Sequence, residues 1–436
     1  MKVAIDNIQT TIKNNKEKVY SIGRYFLASL VPLLLNLVTN PLVAINMSAE
    51  DYAIVGYFKS YNSLILPIVL FYVLHYYTKR FYEVNVDERE ELKAYIFKFL
   101  LTGSFVLGIL SIGVICLYTD FFNSNSQIPL FPYVWIGILT LPLTGLYSLT
   151  LTDYKMGAQS KKFLTLSVVY AILTVGLLLL LVVVFKLGAL GNLLSIFLAN
   201  LMVFLYSVYV NRSLFKIKVS RSKYKDIFRF CAPLTLAATL GFFTNGYDRV
   251  YLERLGQVEE LGFYVVAFSI CNYLHVFSDA VGNTFQPDIY RSIANRSTKS
   301  FFKYTSLVLG TNALIVAVFI ALSPFIIDIL TAGRYVYSVI YMKVLAVSSF
   351  ASALYYMVSQ FTVAIGMTKV TLYNKILTSI ISIFLYKFLI DNFQFMGAAW
   401  GVTLSFLISA ITNILLIYIN KKKLVLYWNK NNMEMK

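Results

Sequence analysis

From Tyr20 to Tyr418 the chain alternates long apolar runs with short polar breaks. About 20 mostly apolar residues are what one helix needs to cross the hydrocarbon core of a bilayer. On that test the pattern predicts twelve spanning helices, near residues 21–45, 52–77, 95–118, 130–151, 164–186, 189–210, 227–250, 261–282, 302–330, 337–365, 370–390 and 396–419. Pro32, Pro67, Pro142, Pro233 and Pro324 fall inside or near the ends of these spans. Prolines are tolerated there because neighbouring helices or hydroxyl side chains can satisfy the freed carbonyls. The predicted fold class is an all-α, polytopic membrane protein.

Composition agrees. Of 436 residues, 58% are hydrophobic and 14% charged, with a mean hydropathy of +0.69. A soluble domain carries about 45–50% apolar and about 25% charged residues. Cys116, Cys231 and Cys271 each lie in an apolar stretch, which excludes a disulfide scaffold. The net charge of +17 does not point to nucleic acid, because no basic stripe with interleaved aromatics and no nucleic-acid motif is present. Instead, 31 of the 38 Lys and Arg residues collect on one side of the predicted membrane. They lie in the N-terminal segment through Arg24, in the loops 78–98, 152–163 and 284–303, in the 211–229 linker, in the 366–375 turn and in the C-terminal tail. This bias predicts that both termini are cytoplasmic. Residues 1–19 lack an apolar core followed by a small-residue cleavage site, and read as a cytosolic or interfacial segment, not a signal peptide.

A long cytoplasmic connection, Asn211 to Phe228, is densely basic and separates six spans from six. The expected organisation is an N-terminal segment (1–20), a six-helix lobe (21–210), a basic linker (211–226), a second six-helix lobe (227–419) and a basic tail (420–436). The halves resemble each other. Aligning Phe58-Lys-Ser-Tyr-Asn62 with Phe268-Ser-Ile-Cys-Asn272 sets Glu50-Asp51 beside Glu260-Leu261. Gly157 and Gly188 are then spaced as Gly366 and Gly397 are. Repeats of six spans each are expected to be parallel, about an axis along the membrane normal.

Catalysis has little to stand on. The histidines are His75 and His275, no His/Cys/Asp/Glu cluster has metal-ligand spacing, and no glycine-rich phosphate loop is present. Outward connections are short, the largest running from Thr119 to Pro129. The sequence therefore predicts no enzyme, no catalytic residue and no metal. What remains is charge at membrane depth, which costs about 2.5–3.5 kcal/mol at the bilayer centre and so normally faces a protein interior or a wet cavity. Lys59 lies within span 2, with Asn62 and Ser63 on the same helical face. In span 8, Ser269, Asn272, His275, Asp279 and Asn283 share one face of an otherwise apolar helix. Competing readings are a snorkelling Lys59 and a span 8 seam glued by hydrogen bonds. Arg24 opens span 1, where a positive-inside anchor is the plain alternative. Asp248-Arg249 closes span 7, where pairing with Glu253 or Arg254 is the alternative.

At span 7 the run Asn245-Gly-Tyr-Asp-Arg-Val-Tyr-Leu-Glu-Arg-Leu-Gly256 leads into Glu260-Leu-Gly-Phe-Tyr-Val-Val-Ala-Phe-Ser269, followed by Phe285-Gln-Pro-Asp-Ile-Tyr-Arg291. This resembles the polysaccharide-transporter family of the multidrug/oligosaccharidyl-lipid/polysaccharide (MOP) flippase superfamily, above all the O-antigen flippases. Met47-Ser-Ala-Glu-Asp-Tyr52 before span 2 and Gly397-Ala-Ala-Trp-Gly401 before span 12 are similar to the family's equivalents, although Tyr52 stands where the family usually has Gly. The resemblance implies two six-helix lobes forming a V around a central cationic cavity lined by spans 1, 2, 7 and 8. It implies a flippase that carries an undecaprenyl-diphosphate-linked oligosaccharide from the cytoplasmic to the periplasmic leaflet by alternating access. Arg24, Lys59 and Arg249 would then hold the diphosphate, Asn62 and Asn272 the sugars, while His275, Asp279 and Asp248 would couple transport to a proton or sodium gradient. No cofactor is expected. The expected setting is the bacterial inner membrane, as a monomer, in association with polysaccharide polymerase and chain-length proteins. The rivals are a multidrug-and-toxin-extrusion exporter of cations and an integral-membrane polysaccharide polymerase. Spans 1–6 contain no carboxylate near mid-membrane while Lys59 lies there, which favours an anionic cargo over a cation.

Overall fold

The computed structural model describes residues 2–122, 126–219, 222–365 and 367–420, and among them there is no strand. The basic tail beyond Asn420 and two residues of the linker lie outside the described residues. In chain order the helices are α1 (Lys2–Asn46), α2 (Ala49–Leu70), α3 (Val73–Arg80), α4 (Val86–Lys98), α5 (Ser104–Phe122), α6 (Tyr133–Met156), α7 (Ser160–Leu178) and α8 (Gly188–Val210). They continue as α9 (Ser222–Leu240), α10 (Phe242–Asn245), α11 (Tyr247–Leu252), α12 (Val258–Ala294), α13 (Thr298–Thr331), α14 (Val339–Ala364) and α15 (Thr368–Ile419).

Among the described residues, eleven helical segments are long and apolar enough to cross a membrane. The last, within α15, is two helices in line, because Gln394 breaks it with a φ of 50° and a ψ of −130°. The break falls between the predicted spans 370–390 and 396–419, so α15 contains both of them. A π-helical turn at Phe99–Gly103 joins α4 to α5, and another at Leu179–Val184 extends α7. The helix α1 runs without a break from Lys2 through segment 1–20 into span 1.

The described residues group into two compact units. The first comprises residues up to Met47, Ile65–Leu117 and Leu130–Thr235, and the second takes Ser48–Leu64, Tyr118–Pro129 and everything from Leu236 on. The predicted lobes (21–210 and 227–419) divide the chain differently, because the outer part of span 2 and one outer loop group with the C-terminal half.

In the first unit α1 packs on α7, and α6 and α7 pack on α8. Tyr77, Tyr95, Phe97, Leu100, Leu146 and Cys231 form a buried cluster near its polar end. Span 2 is not continuous to residue 77 as predicted. Phe71 and Tyr72 adopt φ values of 47° and 51°, a left-handed conformation that costs about 1–3 kcal/mol per non-glycine residue. Ring contacts hold the break, with Phe71 stacked on Phe228 at 5.3 Å and Tyr72 on His75 at 4.3 Å. Past it, Asp153 of α6 ties α3 and α4 together by accepting from Tyr77 Oη (2.6 Å) and Lys93 Nζ (2.7 Å). Burial, together with the Asp153 hydrogen bond, pushes the Tyr77 hydroxyl well above its ordinary value, so it remains a donor at neutral pH. Hydrogen bonds to a charged partner contribute about 1.5–3 kcal/mol each. Asp153→Ala, which leaves a half-buried ammonium unpaired, is expected to lower the thermal midpoint by several degrees in detergent; an unchanged midpoint would show the cluster to be dispensable.

In the second unit α12 packs on α13 and α14, and α14 packs on α15. The helix α2 starts at a reciprocal cap, where Ser48 N donates to Asp51 Oδ2 (2.9 Å) and Asp51 N to Ser48 Oγ (3.1 Å). Two glycines let α2 approach α12. A Cβ on Gly262 would lie 1.9 Å from the Ala49 carbonyl oxygen, and one on Gly56 would lie 2.3 Å from a Val265 methyl. The outer loop is fixed by Glu253, which is buried and accepts from Ser126 Oγ (2.6 Å) and Gln127 N (3.1 Å). Arg254 donates to Tyr118 Oη at 2.7 Å. These contacts explain why residues 48–64 and 118–129 belong to this unit.

Candidate functional site

The helix α2 begins at Ala49, so Lys59 lies about 15 Å along it at 1.5 Å per residue, near the middle of a hydrocarbon core about 30 Å thick. Its neighbours Phe58 and Ser60 are buried, whereas Lys59 and, one turn on, Ser63 are exposed. Among the described residues no carboxylate reaches Lys59 and no hydrogen bond ties it down. Asn62 is half-buried, and its Oδ1 is buried without a hydrogen-bond donor.

This strip leads to a break in span 7. The helix stops at Leu240, resumes for the single turn of α10, and stops again at Gly246 before α11. A Cβ on Gly246 would come within 2.8 Å of Ser63 Oγ, so the break must pass α2 as bare backbone. The interrupted carbonyls are satisfied by α15, where Ser379 Oγ donates to Leu240 O (2.8 Å) and Tyr386 Oη to Thr244 O (2.9 Å). Hydroxyls restore the lost helical hydrogen bonds, as a broken helix at membrane depth requires.

At the break Asn245 is exposed and lines a cavity of about 310 Å³ together with Asn272, His275 and Asp279 of α12 and Ser352, Tyr355 and Tyr356 of α14. That volume falls at the lower end of small-molecule sites, about 300–1,000 Å³. The predicted polar face of span 8 therefore opens into a chamber. The side of α12 turned to α14 also carries hydrogen bonds, Ser278 with Ser349 (2.8 Å) and Tyr356 Oη to Asn283 Oδ1 (3.2 Å). His275 has only Ser352 Oγ, at 3.5 Å, and Asp279 is exposed and in no salt bridge among the described residues. Chamber and strip together offer one cation, one carboxylate, one imidazole, three amides and two tyrosines.

Two residues singled out from the sequence, Arg249 and Asp248, do not line this chamber. Arg249 is buried beneath the Phe268 ring, 3.8 Å from its centroid, beside Asp248 at 3.4 Å, and it donates back across the break to Asn245 O of α10 (3.1 Å). Asp248 is fully buried and accepts from Tyr264 Oη at 2.7 Å. The pair closes on itself, and not on Glu253 or Arg254. Arg24 belongs to the first unit, where it donates to Ser160 Oγ at 3.2 Å. Conversely, Asn245, Tyr355 and Tyr356 were not singled out as site residues. Gly241 and Gly246, five residues apart in an apolar span, were the available signal for the first.

Residues 20–282 match the family described as polysaccharide biosynthesis protein. The chain belongs to this family. No curated protein sequence matches it. Among solved structures, an inward-facing multidrug-resistance MATE family transporter of the MOP superfamily superposes with a TM-score of 0.70 at 13% identity, covering 92% of this chain and 98% of that one. Lipid II flippase MurJ in an inward closed conformation gives 0.64 at 13% identity, covering 94% and 92%. A MOP superfamily transporter from Pyrococcus furiosus gives 0.56 at 13% identity, covering 93% and 95%. The chain thus shares its fold with a MATE transporter and with lipid II flippase MurJ, and this member of the polysaccharide biosynthesis protein family is a multi-pass membrane protein.

Proposed function

We propose that the chain moves an undecaprenyl-diphosphate-linked oligosaccharide between leaflets by alternating access, using the Lys59 strip and the chamber beside it. One observation carries this reading: Lys59 stands exposed on a helix apolar enough to span the membrane, with no counter-charge among the described residues, near a chamber lined by amides and tyrosines. Such a lysine is costly unless its partner arrives from outside. A diphosphate supplies that partner through charge-assisted hydrogen bonds. Asn62, Asn245 and Asn272 match sugar hydroxyls in donor and acceptor capacity, and Tyr355 and Tyr356 offer faces for sugar rings. A cationic drug would meet Lys59 as a like charge, which disfavours the exporter reading.

His275 and Asp279 are the proposed coupling groups. An imidazole and a carboxylate can each take up and release a proton, and both side chains line the chamber through which the cargo would pass. On this reading the protein works as a monomer in the bacterial plasma membrane, with both termini cytoplasmic, and supplies a polymerase on the far side. The test is binding to the purified chain in nanodiscs. A polyprenyl-diphosphate oligosaccharide should bind, the same glycan on a neutral lipid should bind about tenfold or more weakly, and ethidium should not compete. Tighter binding of ethidium than of the glycolipid would overturn the proposal. Asp279→Asn should leave glycolipid binding in place while abolishing the response of transport to an imposed pH gradient.

A further inference from the structure

A second cavity, of about 370 Å³, lies in the first unit between α7 and α8. Leu166, Val169, Leu173, Met202 and Val203 form its apolar wall, and Lys161 and Lys162 stand at one end. Both lysines are exposed, and Lys162 also lies over the Tyr154 ring at 5.6 Å. The adjoining Ser160 accepts from Arg24, which adds a third cation at the same end. No carboxylate lines the cavity. The nearest in sequence, Asp153, is already held by Lys93.

Basic residues at helix ends are common on the side of the membrane where 31 of the 38 Lys and Arg residues collect. The comparison within the molecule is therefore informative. A groove of similar size, about 320 Å³, is lined by Phe301, Phe302, Leu354, Met357, Ile414 and their neighbours, with no charged residue. Only the α7–α8 groove, of these two, joins a basic mouth to an apolar wall.

We propose that the α7–α8 groove binds an anionic phospholipid of the leaflet on that side. Its phosphate sits at Lys161 and Lys162, and one acyl chain lies along Leu166, Val169 and Leu173. The length fits. From Lys161 to Leu173 the helix rises about 18 Å, close to one leaflet of a core about 30 Å thick. A C55 polyprenyl tail is far longer than this groove, which is why a phospholipid and not the cargo is assigned to it. Basic pockets between spanning helices on the cytoplasmic side are suited to anionic head groups.

The purified full chain would be titrated in detergent with dioleoylphosphatidylglycerol, dioleoylphosphatidylcholine or undecaprenyl phosphate, and bound lipid counted by native mass spectrometry. Phosphatidylglycerol should be retained about tenfold more tightly than phosphatidylcholine. The Lys161→Ala/Lys162→Ala variant should lose that preference, and Lys299→Ala/Lys303→Ala should keep it. Met202→Trp, which fills the groove without touching a charge, should also lose it. Equal retention of the two phospholipids by the unaltered chain, or a preference surviving in both groove variants, would overturn the proposal. Undecaprenyl phosphate displacing phosphatidylglycerol at equal concentration would assign the groove to the cargo and overturn it as well.

Discussion

Lys59→Ala should lose transport of the glycolipid by about 30-fold or more while making the protein more stable, not less. The two effects have one cause. Lys59 is an exposed cation on a spanning helix with no partner among the described residues, and a charge at the bilayer centre costs about 2.5–3.5 kcal/mol on the insertion scale. Removing the ammonium relieves that cost. It also removes charge-assisted hydrogen bonds to phosphate, each contributing about 1.5–3 kcal/mol, which converts to the expected loss in rate. Lys59→Arg should retain most activity, since a guanidinium keeps the charge and can grip phosphate with two donors. Thermal unfolding in detergent and surface polymer in cells, measured on the same variants, check both halves. A fall in both stability and activity would mark Lys59 as a structural residue. Unchanged polymer would remove it from the site.

Gly262→Ala should be the most damaging single methyl in the second unit. The added carbon would lie 1.9 Å from the Ala49 carbonyl oxygen, a backbone atom that can yield only if α2 and α12 move apart. Overpacking of this kind costs about 1–3 kcal/mol, and more when the obstacle is main chain. Gly310→Ala is the natural control, because nothing lies within 4 Å of a Cβ built there. That substitution should be neutral or slightly stabilising, as alanine is the better helix former by about 1 kcal/mol. The expected result is a thermal midpoint several degrees lower for Gly262→Ala and unchanged for Gly310→Ala. Equal midpoints would mean that the close approach of α2 to α12 does not matter to stability.

Much of the fold is legible because lipid permits few solutions. Every backbone group must be paired inside the protein, most simply within its own helix, so a run of apolar residues fixes an element, and the polar residues 391 and 392 lie at the break that Gln394 makes in α15. The break at Phe71–Tyr72 was not legible. Aromatic residues carry no signal for a left-handed backbone, and the stacking partner that holds Phe71 lies on α9, more than 150 positions away. The polar face of span 8 was read from helical spacing, which is geometry that a sequence contains. Spacing could not show what Arg249 does. Its position four residues after Asn245, beside Asp248 and under Phe268, gives it local partners. Lys59 has no such neighbour, and that difference between two cations only coordinates reveal. Arg24 illustrates the same limit, since Ser160, its partner, belongs to a span far along the chain.

The most direct measurement is translocation in vesicles. The purified chain would be reconstituted with a polyprenyl-diphosphate oligosaccharide bearing a fluorophore on its terminal sugar, and the fraction reaching the opposite leaflet would be read by quenching from outside. The account predicts rapid crossing with the unaltered chain, crossing about 30-fold slower or worse with Lys59→Ala, and recovery with Lys59→Arg. Crossing by Lys59→Ala at the unaltered rate, or uptake of a cationic dye in place of the glycolipid, would contradict it.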